Sequence, residues 1–310
     1  MFEIRETLTT GLGAFAKEDL SAGTVILREK PILRLPPLPW TSVNTFIPCS
    51  VLMHVFDALE EKQKQQIKEL ATVTPDKEVR HKVGLMVDVV LAQRKYKTST
   101  SREEYVELMF QMTNNQWRHL RADDELNTLF IQLSRFNHSC VSNAVIHERI
   151  LDDGSQVTIL LARRNINAGE EITVEYVRPW TTSREGILRD WGFLCQCHFC
   201  TTMDIVTRLL YVDVFKQIRD NDGETCRDTN LTPQQTIMRH KRRAKALEFL
   251  GPSNTLFNEY AQLAGMYKAT GDVKGLNETM SALQRVMAIT CDKDDTKRAI
   301  LDHLVSQQQH

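Results

Sequence analysis

Apolar and polar residues alternate in short runs over the first thirty positions, and glycines interrupt these runs. Two such runs lie at 11–16 and 20–27. β-Branched and aromatic residues between turn-forming residues are typical of short strands. Residues 2–31 are therefore predicted to form a small β unit. A proline-rich connector at 36–40 ends it, because proline interrupts both strand ladders and helix interiors.

The period changes between about Ser50 and Phe110, where apolar residues recur every three or four positions among many Lys, Glu and Gln residues. This spacing places them on one face of a helix. We expect amphipathic helices whose apolar faces form a core. The stripes that indicate this are Leu52, Phe56 and Leu59 and, further on, Leu85, Val89 and Ala92.

A second β region begins near Leu133. The runs 143–151 and 157–162 flank Asp152-Asp-Gly-Ser155, which predicts a hairpin. A third strand is expected at 172–177, after the turn that contains Gly169. The sequence around Gly169 repeats the one around Gly23, apolar-x-Ala-Gly-x-x-Ile, and predicts two similar turns that lead into strands.

Beyond Cys200 the pattern is helical again. Thr232 and Pro233 mark the start of one helix, and Gly251 with Pro252 marks its end. Two further apolar stripes predict an antiparallel helix pair, similar to a tetratricopeptide unit, and we interpret this part as a helical cap. The stripes are Leu256, Tyr260, Leu263 and Tyr267, then Leu276, Met280, Leu283 and Met287.

The basic run at 239–245 has three interpretations: a localisation signal, a patch for an acidic partner, or a solvated helix face. We favour the solvated face, since charged runs on amphipathic helices most often point to water.

Composition describes an ordinary soluble protein of about two domains, with 310 residues, 42% hydrophobic and 25% charged residues, and a net charge of −1. This balance gives no reason to expect direct nucleic-acid binding. The start of the chain has no secretory-signal pattern, and no apolar run approaches 18 residues, so no membrane association is expected. We expect an intracellular protein, in the nucleus, the cytoplasm or both.

Seven cysteines, an odd number, fit metal binding in a reducing compartment better than a disulfide framework. Cys195, Cys197 and Cys200 fall within six residues, and Cys140 lies far upstream in Asn-His-Ser-Cys. Four thiolates complete the tetrahedral shell of a structural Zn²⁺ ion. The pattern predicts a zinc site that joins the two segments, and the alternative is a set of scattered structural thiols.

Three further motifs occur in a fixed order along the chain. They are Gly11-Leu-Gly13, Arg135-Phe-Asn-His-Ser-Cys-Val-Ser-Asn143 and Gly169-Glu-Glu-Ile-Thr-Val-Glu-Tyr176. Together with the cysteine trio they resemble a SET-domain methyltransferase over roughly residues 1–200. One departure is Ser142, where the family usually has proline, and it is expected to loosen the turn without removing a functional group.

The stretch 184–197 looks like the SET-and-MYND (SMYD-like) type, and so does a helical C-terminal domain. That type carries a zinc finger in its insert, whereas residues 32–132 here contain one cysteine, Cys49, and three widely spaced histidines. No such finger can be built from these residues. The chain therefore resembles a protein of this type without the MYND finger.

The resemblance implies an α+β fold, with a β-rich SET domain (β-clip), a helical insert, a zinc-bound post-SET segment and an α-helical C-terminal domain. We expect the SET domain at 1–200, with its insert at about 41–132 and its post-SET segment at about 184–200. The helical domain would occupy 201–310, and it is a candidate surface for partner proteins.

The resemblance also implies a binding site for S-adenosylmethionine. The glycine loop would bring backbone close to the cofactor, Asn137 would bond its polar end, and the His138 backbone would contact its adenine. Phe193 would cover the adenine, and Tyr176 would be the catalytic residue. The full set of implied cofactor contacts is Gly11, Leu12, Gly13, Asn114, Asn137, His138, Tyr176 and Phe193.

Each of these residues also has a simpler interpretation. The glycines can mark an ordinary turn, and Asn137 with His138 can be turn and core residues. Tyr176 and Phe193 can be packed aromatics of a core. Asn115 competes with Asn114 for the role in the cofactor site, and ordinary loop placement is as good an account of either.

The implied function is S-adenosylmethionine-dependent lysine N-methylation of a protein, histone or otherwise. Lysine is mostly protonated at neutral pH, so a desolvating channel must lower its pKa while Tyr176 orients the neutral amine. The zinc ion is expected to be structural. Two alternatives stay open: a non-catalytic SET scaffold that binds partners, and a SET-derived enzyme that acts on a small molecule.

Overall fold

The computed structural model describes residues 1–7, 11–35, 46–72, 76–94, 98–120, 125–150, 156–177, 193–221 and 231–290. The chain divides into two compact units. Unit 1 contains Met1–Arg28, Phe136–Ile150 and Thr158–His310, and unit 2 contains Glu29–Arg135 and Leu151–Val157. Among the described helices, none combines the length and the apolar character needed to cross a bilayer.

Unit 1 begins with strands β1 (Phe2–Glu6) and β2 (Leu12–Ala16), which pair antiparallel. Strands β3 (Val25–Glu29), β7 (Ala144–Ile150) and β8 (Gln156–Ala162) form a second sheet in the order β3-β8-β7. The predicted early β unit and the predicted hairpin are therefore confirmed. The connector at 36–40 and the turn at 152–155 lie outside the described residues.

The two glycine turns that share a sequence pattern face each other. Leu20 and Ile166 exchange both backbone hydrogen bonds at 2.8 Å. Gly23 and Gly169 adopt φ values of +85° and +81°. Only glycine reaches this region without steric cost, which explains why the repeated pattern carries it at the same place in both turns.

The predicted third strand at 172–177 is wrong as a continuous strand. Among the described residues, its region makes isolated bridges only, between Phe15 and Glu171 and between His138 and Val174. The segment changes partner from one neighbour to the other within four residues. Because no partner stays beside it, no ladder forms, and Tyr176 lies in a bend after these bridges.

In the part of unit 2 that the structure describes, there are four helices and a three-stranded sheet in the order β4-β6-β5. The helices are α1 (Phe46–Asp57), α2 (Glu61–Lys68), α3 (Lys77–Gln93) and α4 (Arg102–Asn115). The strands are β4 (Leu33–Leu35), β5 (Gln116–Leu120) and β6 (Glu125–Leu129). The predicted helical region is confirmed, and its core includes Leu52, Phe56, Val87 and Leu108.

The predicted buried face of α3 is wrong. Leu85 and Val89 are 50% and 47% exposed, whereas Val83, Val87 and Val90 are buried. Both stripes have the same i, i+4, i+7 spacing, so periodicity identifies the helix but cannot choose between them.

The C-terminal part of unit 1 is helical. Its helices are α5 (His198–Thr201), α6 (Ile205–Asp220), α7 (Pro233–Leu250), α8 (Asn254–Thr270) and α9 (Val273–Thr290). Thr232 caps α7 and Gly251 ends it, as predicted. Both predicted apolar stripes of α8 and α9 are buried. The boundary at 200 between a SET domain and a helical domain stays a prediction.

The basic run at 239–245 lies within α7 and is only partly solvated. Lys241 and Arg242 are exposed, but His240 and Arg243 are buried and bind the Glu259 carboxylate of α8 at 2.7 and 2.6 Å. The solvated-face interpretation is therefore wrong for His240 and Arg243. A buried carboxylate requires such partners, because desolvation of an unpaired charge is very costly.

Candidate functional site

Tyr176 is held at both of its ends by the segment 136–138. Its hydroxyl donates a hydrogen bond to the Phe136 carbonyl at 2.8 Å, and its backbone N–H donates to His138 Nδ1 at 3.1 Å. Burial, together with the nearby Glu171 carboxylate, raises the pKa of Tyr176. The hydroxyl therefore stays protonated at neutral pH, so its oxygen can still accept a hydrogen bond while its proton goes to Phe136.

Asn137 lies against the glycine loop. Its amide nitrogen donates to the Leu12 carbonyl at 3.1 Å and to Glu171 Oε1 at 2.8 Å. These two bonds use both amide hydrogens and so fix which way the amide oxygen points. The sequence motif identified Asn137, whereas the role of Glu171 as its partner was missed, because nothing in the local sequence signals that contact.

The two glycines of the loop have different reasons to be glycine. Gly11 has a φ of +75°. A Cβ on Gly13 would lie 2.5 Å from Glu171 Oε1 and 2.9 Å from Asn137 Nδ2. Gly13 therefore makes room for Asn137 and Glu171. The close approach of this loop to the cofactor, which the resemblance implies, stays a prediction.

Asn143 is a second residue whose role was missed, although it is the last residue of the motif that runs from Arg135 to Asn143. Its side chain is buried, donates to the Glu171 carbonyl at 2.8 Å and accepts from the Thr173 N–H at 2.8 Å. It therefore fixes the segment that leads to Tyr176. The buried hydroxyl of Ser142 donates to the Ala144 carbonyl at 3.0 Å, so this departure from the family pattern adds a hydrogen bond to the turn.

The structure brings the four predicted metal ligands together. All four Sγ atoms lie within 4.8 Å of one another, and Cys140 Sγ is 4.0 Å from Cys195 Sγ and 3.7 Å from Cys200 Sγ. A tetrahedral zinc ion with Zn–S bonds of about 2.3 Å would separate its thiolates by about 3.8 Å. The donor set of Cys140, Cys195, Cys197 and Cys200 thus fits a closed four-thiolate zinc site.

Hydrogen bonding to the neighbouring cysteines raises the pKa of Cys140 and lowers the pKa of Cys195. Four thiolates at this spacing require a positive ion at their centre, because like charges so close cannot all ionise alone.

Phe193 packs beside the cysteine cluster. Its ring centroid lies 6.4 Å from that of His138 and 6.3 Å from that of Tyr176, edge-on to the latter. The predicted adenine cover is therefore next to both the cluster and the predicted catalytic residue, and its role in cofactor binding stays a prediction. Residues 184–192 of the predicted post-SET segment lie outside the described residues.

The contacts of Asn115 bear on which of Asn114 and Asn115 is the candidate for the cofactor site. The amide of Asn115 donates to the carbonyls of Ala71 and Gln111, both at 2.8 Å, which is a structural role. Asn114 lies in the last turn of α4, in unit 2, and its cofactor contact stays a prediction.

Comparisons with known proteins identify relatives of this chain. A SET domain protein of Acanthamoeba polyphaga mimivirus, L678, is 26% identical over 66% of this chain and 78% of its own length. Histone-lysine N-methyltransferase SET5 of Scheffersomyces stipitis is 35% identical over 34% of this chain and 22% of its own length. The chain therefore spans most of the viral relative but less than a quarter of the yeast enzyme.

A solved structure, the SET domain of LSMT bound to lysine and AdoHcy, covers 99% of this chain and 85% of that one at 13% identity, with a TM-score of 0.44. The family model for the SET domain matches residues 11–177, and this range holds the glycine loop, the Asn-His-Ser-Cys segment and Tyr176. Because that match accounts for more than half of the chain, the protein belongs to the SET-domain family.

Proposed function

We propose that this protein is a methyltransferase that uses S-adenosylmethionine to methylate lysine side chains of other proteins. One observation carries the proposal: a tyrosine whose hydroxyl and backbone N–H are both hydrogen-bonded by the segment 136–138, which also places Asn137 against the glycine loop. The relation to proteins named histone-lysine N-methyltransferases supports the same activity. We also infer the SET-and-MYND type without its finger, from the sequence resemblance described above.

The chain offers groups of suitable chemistry to hold the cofactor. The Asn137 amide oxygen would accept from its ammonium group, the Gly11–Gly13 backbone and His138 backbone would line its pocket, and Phe193 would cover its adenine. When bound, S-adenosylmethionine supplies an electrophilic methyl group on a sulfonium. Asn114 is the further contact proposed from the sequence.

Tyr176 would orient the incoming amine. Its hydroxyl proton is committed to the Phe136 carbonyl, so its oxygen can accept a hydrogen bond from a neutral lysine amine and align the nitrogen lone pair. Alignment of nucleophile and electrophile supplies a large part of the rate enhancement in such displacements. Desolvation of the lysine beside the Tyr176 ring would favour the neutral amine that must attack.

We propose that the cysteine cluster binds one structural zinc ion. Four thiolates leave no open position on zinc for water or substrate, so the ion would not take part in the chemistry. Its role would be to fix Cys140, three residues after Asn137, to the segment that carries Phe193. Cofactor binding and metal binding would then depend on each other.

The test is transfer of isotope-labelled methyl groups to the proteins of a cell lysate, followed by mass spectrometry of the labelled lysines. Tyr176→Phe should lower turnover about 10²-fold or more, because it removes an orienting group at the reacting atoms. Its affinity for the cofactor should change little. Tyr211→Phe is the matched control, since Tyr211 makes ring contacts to Phe199 and Phe215 in the helical part and should keep full activity.

Label that appears only in low-mass material would contradict the protein substrate and favour a small-molecule enzyme. No transfer to any acceptor, with cofactor binding intact, would favour a non-catalytic scaffold. Unchanged turnover of Tyr176→Phe would remove Tyr176 from the mechanism.

A further inference from the structure

The imidazole of His138 lies between the cysteine cluster and Tyr176, and only 7% of the residue is exposed. Its Nδ1 is 3.1 Å from the Tyr176 backbone nitrogen, and its Nε2 is 3.5 Å from Cys140 Sγ. Each ring nitrogen therefore meets a different part of the site. The sequence resemblance had assigned a role only to the backbone of this residue.

The partners of the ring determine its tautomer. The Tyr176 N–H can only donate, so Nδ1 must accept and carries no proton. In a neutral imidazole the proton then lies on Nε2, which points at Cys140 Sγ. An N–H···S hydrogen bond to a thiolate is charge-assisted, so this contact is strongest when Cys140 is ionised as a metal ligand.

The backbone that carries the His138 ring is fixed by hydrogen bonds, so a change in the ring's orientation would act on Tyr176. The backbone on either side of His138 is tied to Val174: the Val174 N–H donates to the Asn137 carbonyl, and the Ser139 N–H donates to the Val174 carbonyl, both at 3.0 Å. Tyr176 follows Val174 by two residues. A rotation of the imidazole would therefore change the hydrogen bond at the Tyr176 nitrogen before it changed the surrounding backbone.

We propose that His138 is a positioning residue that joins the metal-thiolate cluster to Tyr176, with Nε2–H donating to Cys140 and Nδ1 accepting from the Tyr176 backbone. The inference rests on the proposed methyl transfer and zinc site for its functional meaning. Loss of the metal would then disturb the orienting tyrosine directly, in addition to disordering the segment that carries Phe193. Such outer contacts of metal ligands commonly tune metal affinity by about 10–100-fold.

Two substitutions separate the two contacts of the ring. His138→Asn places an amide oxygen near the position of Nδ1, and His138→Gln places an amide N–H near the position of Nε2. The Asn variant should keep the bond to Tyr176 and lose the bond to Cys140. The Gln variant should do the reverse. His198→Asn is the matched control, since His198 adjoins a cysteine of the cluster but bonds Thr202.

Three readouts on the full chain test the inference. Replacement of zinc by Co²⁺ gives a sulfur-to-cobalt absorption band, which should shift in His138→Asn and stay in place in His138→Gln. Zinc affinity, measured by competition with a chromogenic chelator, should fall about 10–100-fold in His138→Asn only. The amide resonance of Tyr176, in protein labelled with ¹⁵N-tyrosine, should move in His138→Gln and remain in His138→Asn.

In turnover, His138→Gln should lower kcat about tenfold or more with little change in cofactor KM, because Tyr176 loses its backbone anchor. The proposal is overturned if both variants change the cobalt band and the Tyr176 resonance alike, or if neither variant changes either signal. Absence of methyl transfer in the unmodified protein would defeat the proposed function, and the cobalt and amide signals would still decide the role of His138.

Discussion

Gly13 has no room for a side chain. A Cβ there would meet Glu171 Oε1, Asn137 Nδ2 and Thr7 Cγ2, all within 3 Å. These atoms belong to side chains that can shift, so Gly13→Ala should leave the fold intact but displace Asn137. Overpacking of this kind costs about 1–3 kcal/mol. We expect affinity for S-adenosylmethionine to fall about tenfold or more, measured by isothermal titration.

Gly265→Ala is the control for that substitution. Gly265 lies inside α8, and nothing approaches the position of its Cβ within 4 Å. Alanine is favoured over glycine in a helix interior by about 1 kcal/mol. This variant should be slightly more stable in denaturant unfolding and should bind the cofactor normally. Equal cofactor affinity in the two variants would show that Asn137 does not depend on Gly13.

Some residues of the site could be identified from the local sequence, and others could not. Tyr176, Asn137 and the four cysteines belong to motifs whose residue types already indicate their chemistry. Glu171 and Asn143 act through partners 34 and 28 residues away, Asn137 and the Glu171 carbonyl respectively. A hydrogen bond across that separation depends on the folded path of the chain, so no local pattern could have predicted it.

At the scale of elements, α7 and α8 are joined by a buried group of charges. Glu259 is 2% exposed and binds both His240 and Arg243. Glu259→Ala would leave a buried cation without its partner, which costs about 3–5 kcal/mol. We expect a loss of that size in the free energy of unfolding. Glu278→Ala, at an exposed position of α9, should change stability by less than about 0.5 kcal/mol.

The start of α4 should respond to acid. Its cap is reciprocal between Ser101 and Glu104, and the Lys68 ammonium together with the Ser101 cap lowers the pKa of Glu104 to about 2. A carboxylate with a lowered folded-state pKa stabilises the fold above its ordinary pKa of 4.5, and that contribution is lost as pH falls from there toward 2. The group is partly exposed, so the contribution is about 0.5–1 kcal/mol.

Glu104→Gln keeps the cap acceptor but cannot ionise. Its unfolding free energy should therefore fall less steeply than that of the unmodified protein between about pH 5 and pH 3 in urea titrations. Identical slopes for the two proteins over that interval would show that Glu104 is not the group responsible.

Periodicity predicted the type of each element more reliably than which face of it is buried or which segment it pairs with. The stripes of α8 and α9 were found because each helix has one apolar face. The stripe of α3 was misplaced because Leu85 and Val89 repeat at the same interval as the buried valines. The strand predicted at 172–177 has the right alternation of residues. It does not form a ladder because it passes between two partners, which is a property of topology and not of composition.

At the scale of the whole molecule, the cysteine cluster joins parts of the chain that are far apart in sequence. Cys140 and Cys195 are 55 residues apart, yet their sulfurs are in contact. The sequence predicted that Cys140 would lie near the later cysteines for one reason, which is that four thiolates complete the shell of a zinc ion. The division of the chain into units could not be predicted in the same way, because unit 1 combines the early strands with the C-terminal helices and so depends on long-range packing.

A cross-link over 55 residues restricts the unfolded chain strongly, by about 4 kcal/mol if it acted as a covalent loop closure. Cys197→Ser should therefore lower both the zinc content, from about one ion per chain, and the thermal midpoint. Cofactor affinity should fall as well, because the cluster fixes the positions of the Asn137 segment and the Phe193 segment relative to each other. Zinc content is measured by atomic absorption of the denatured protein.

Cys49→Ala separates loss of the metal from loss of a buried thiol. Cys49 is buried in unit 2 beside Met53, and burial raises its pKa to about 11, so it stays a neutral core thiol. Its removal should cost stability without changing zinc content or cofactor affinity. If Cys197→Ser bound the cofactor as tightly as Cys49→Ala does, the cluster would stabilise the fold without affecting the cofactor site. If the metal shapes the cofactor pocket, zinc content and cofactor affinity should fall together in Cys197→Ser and stay unchanged in Cys49→Ala.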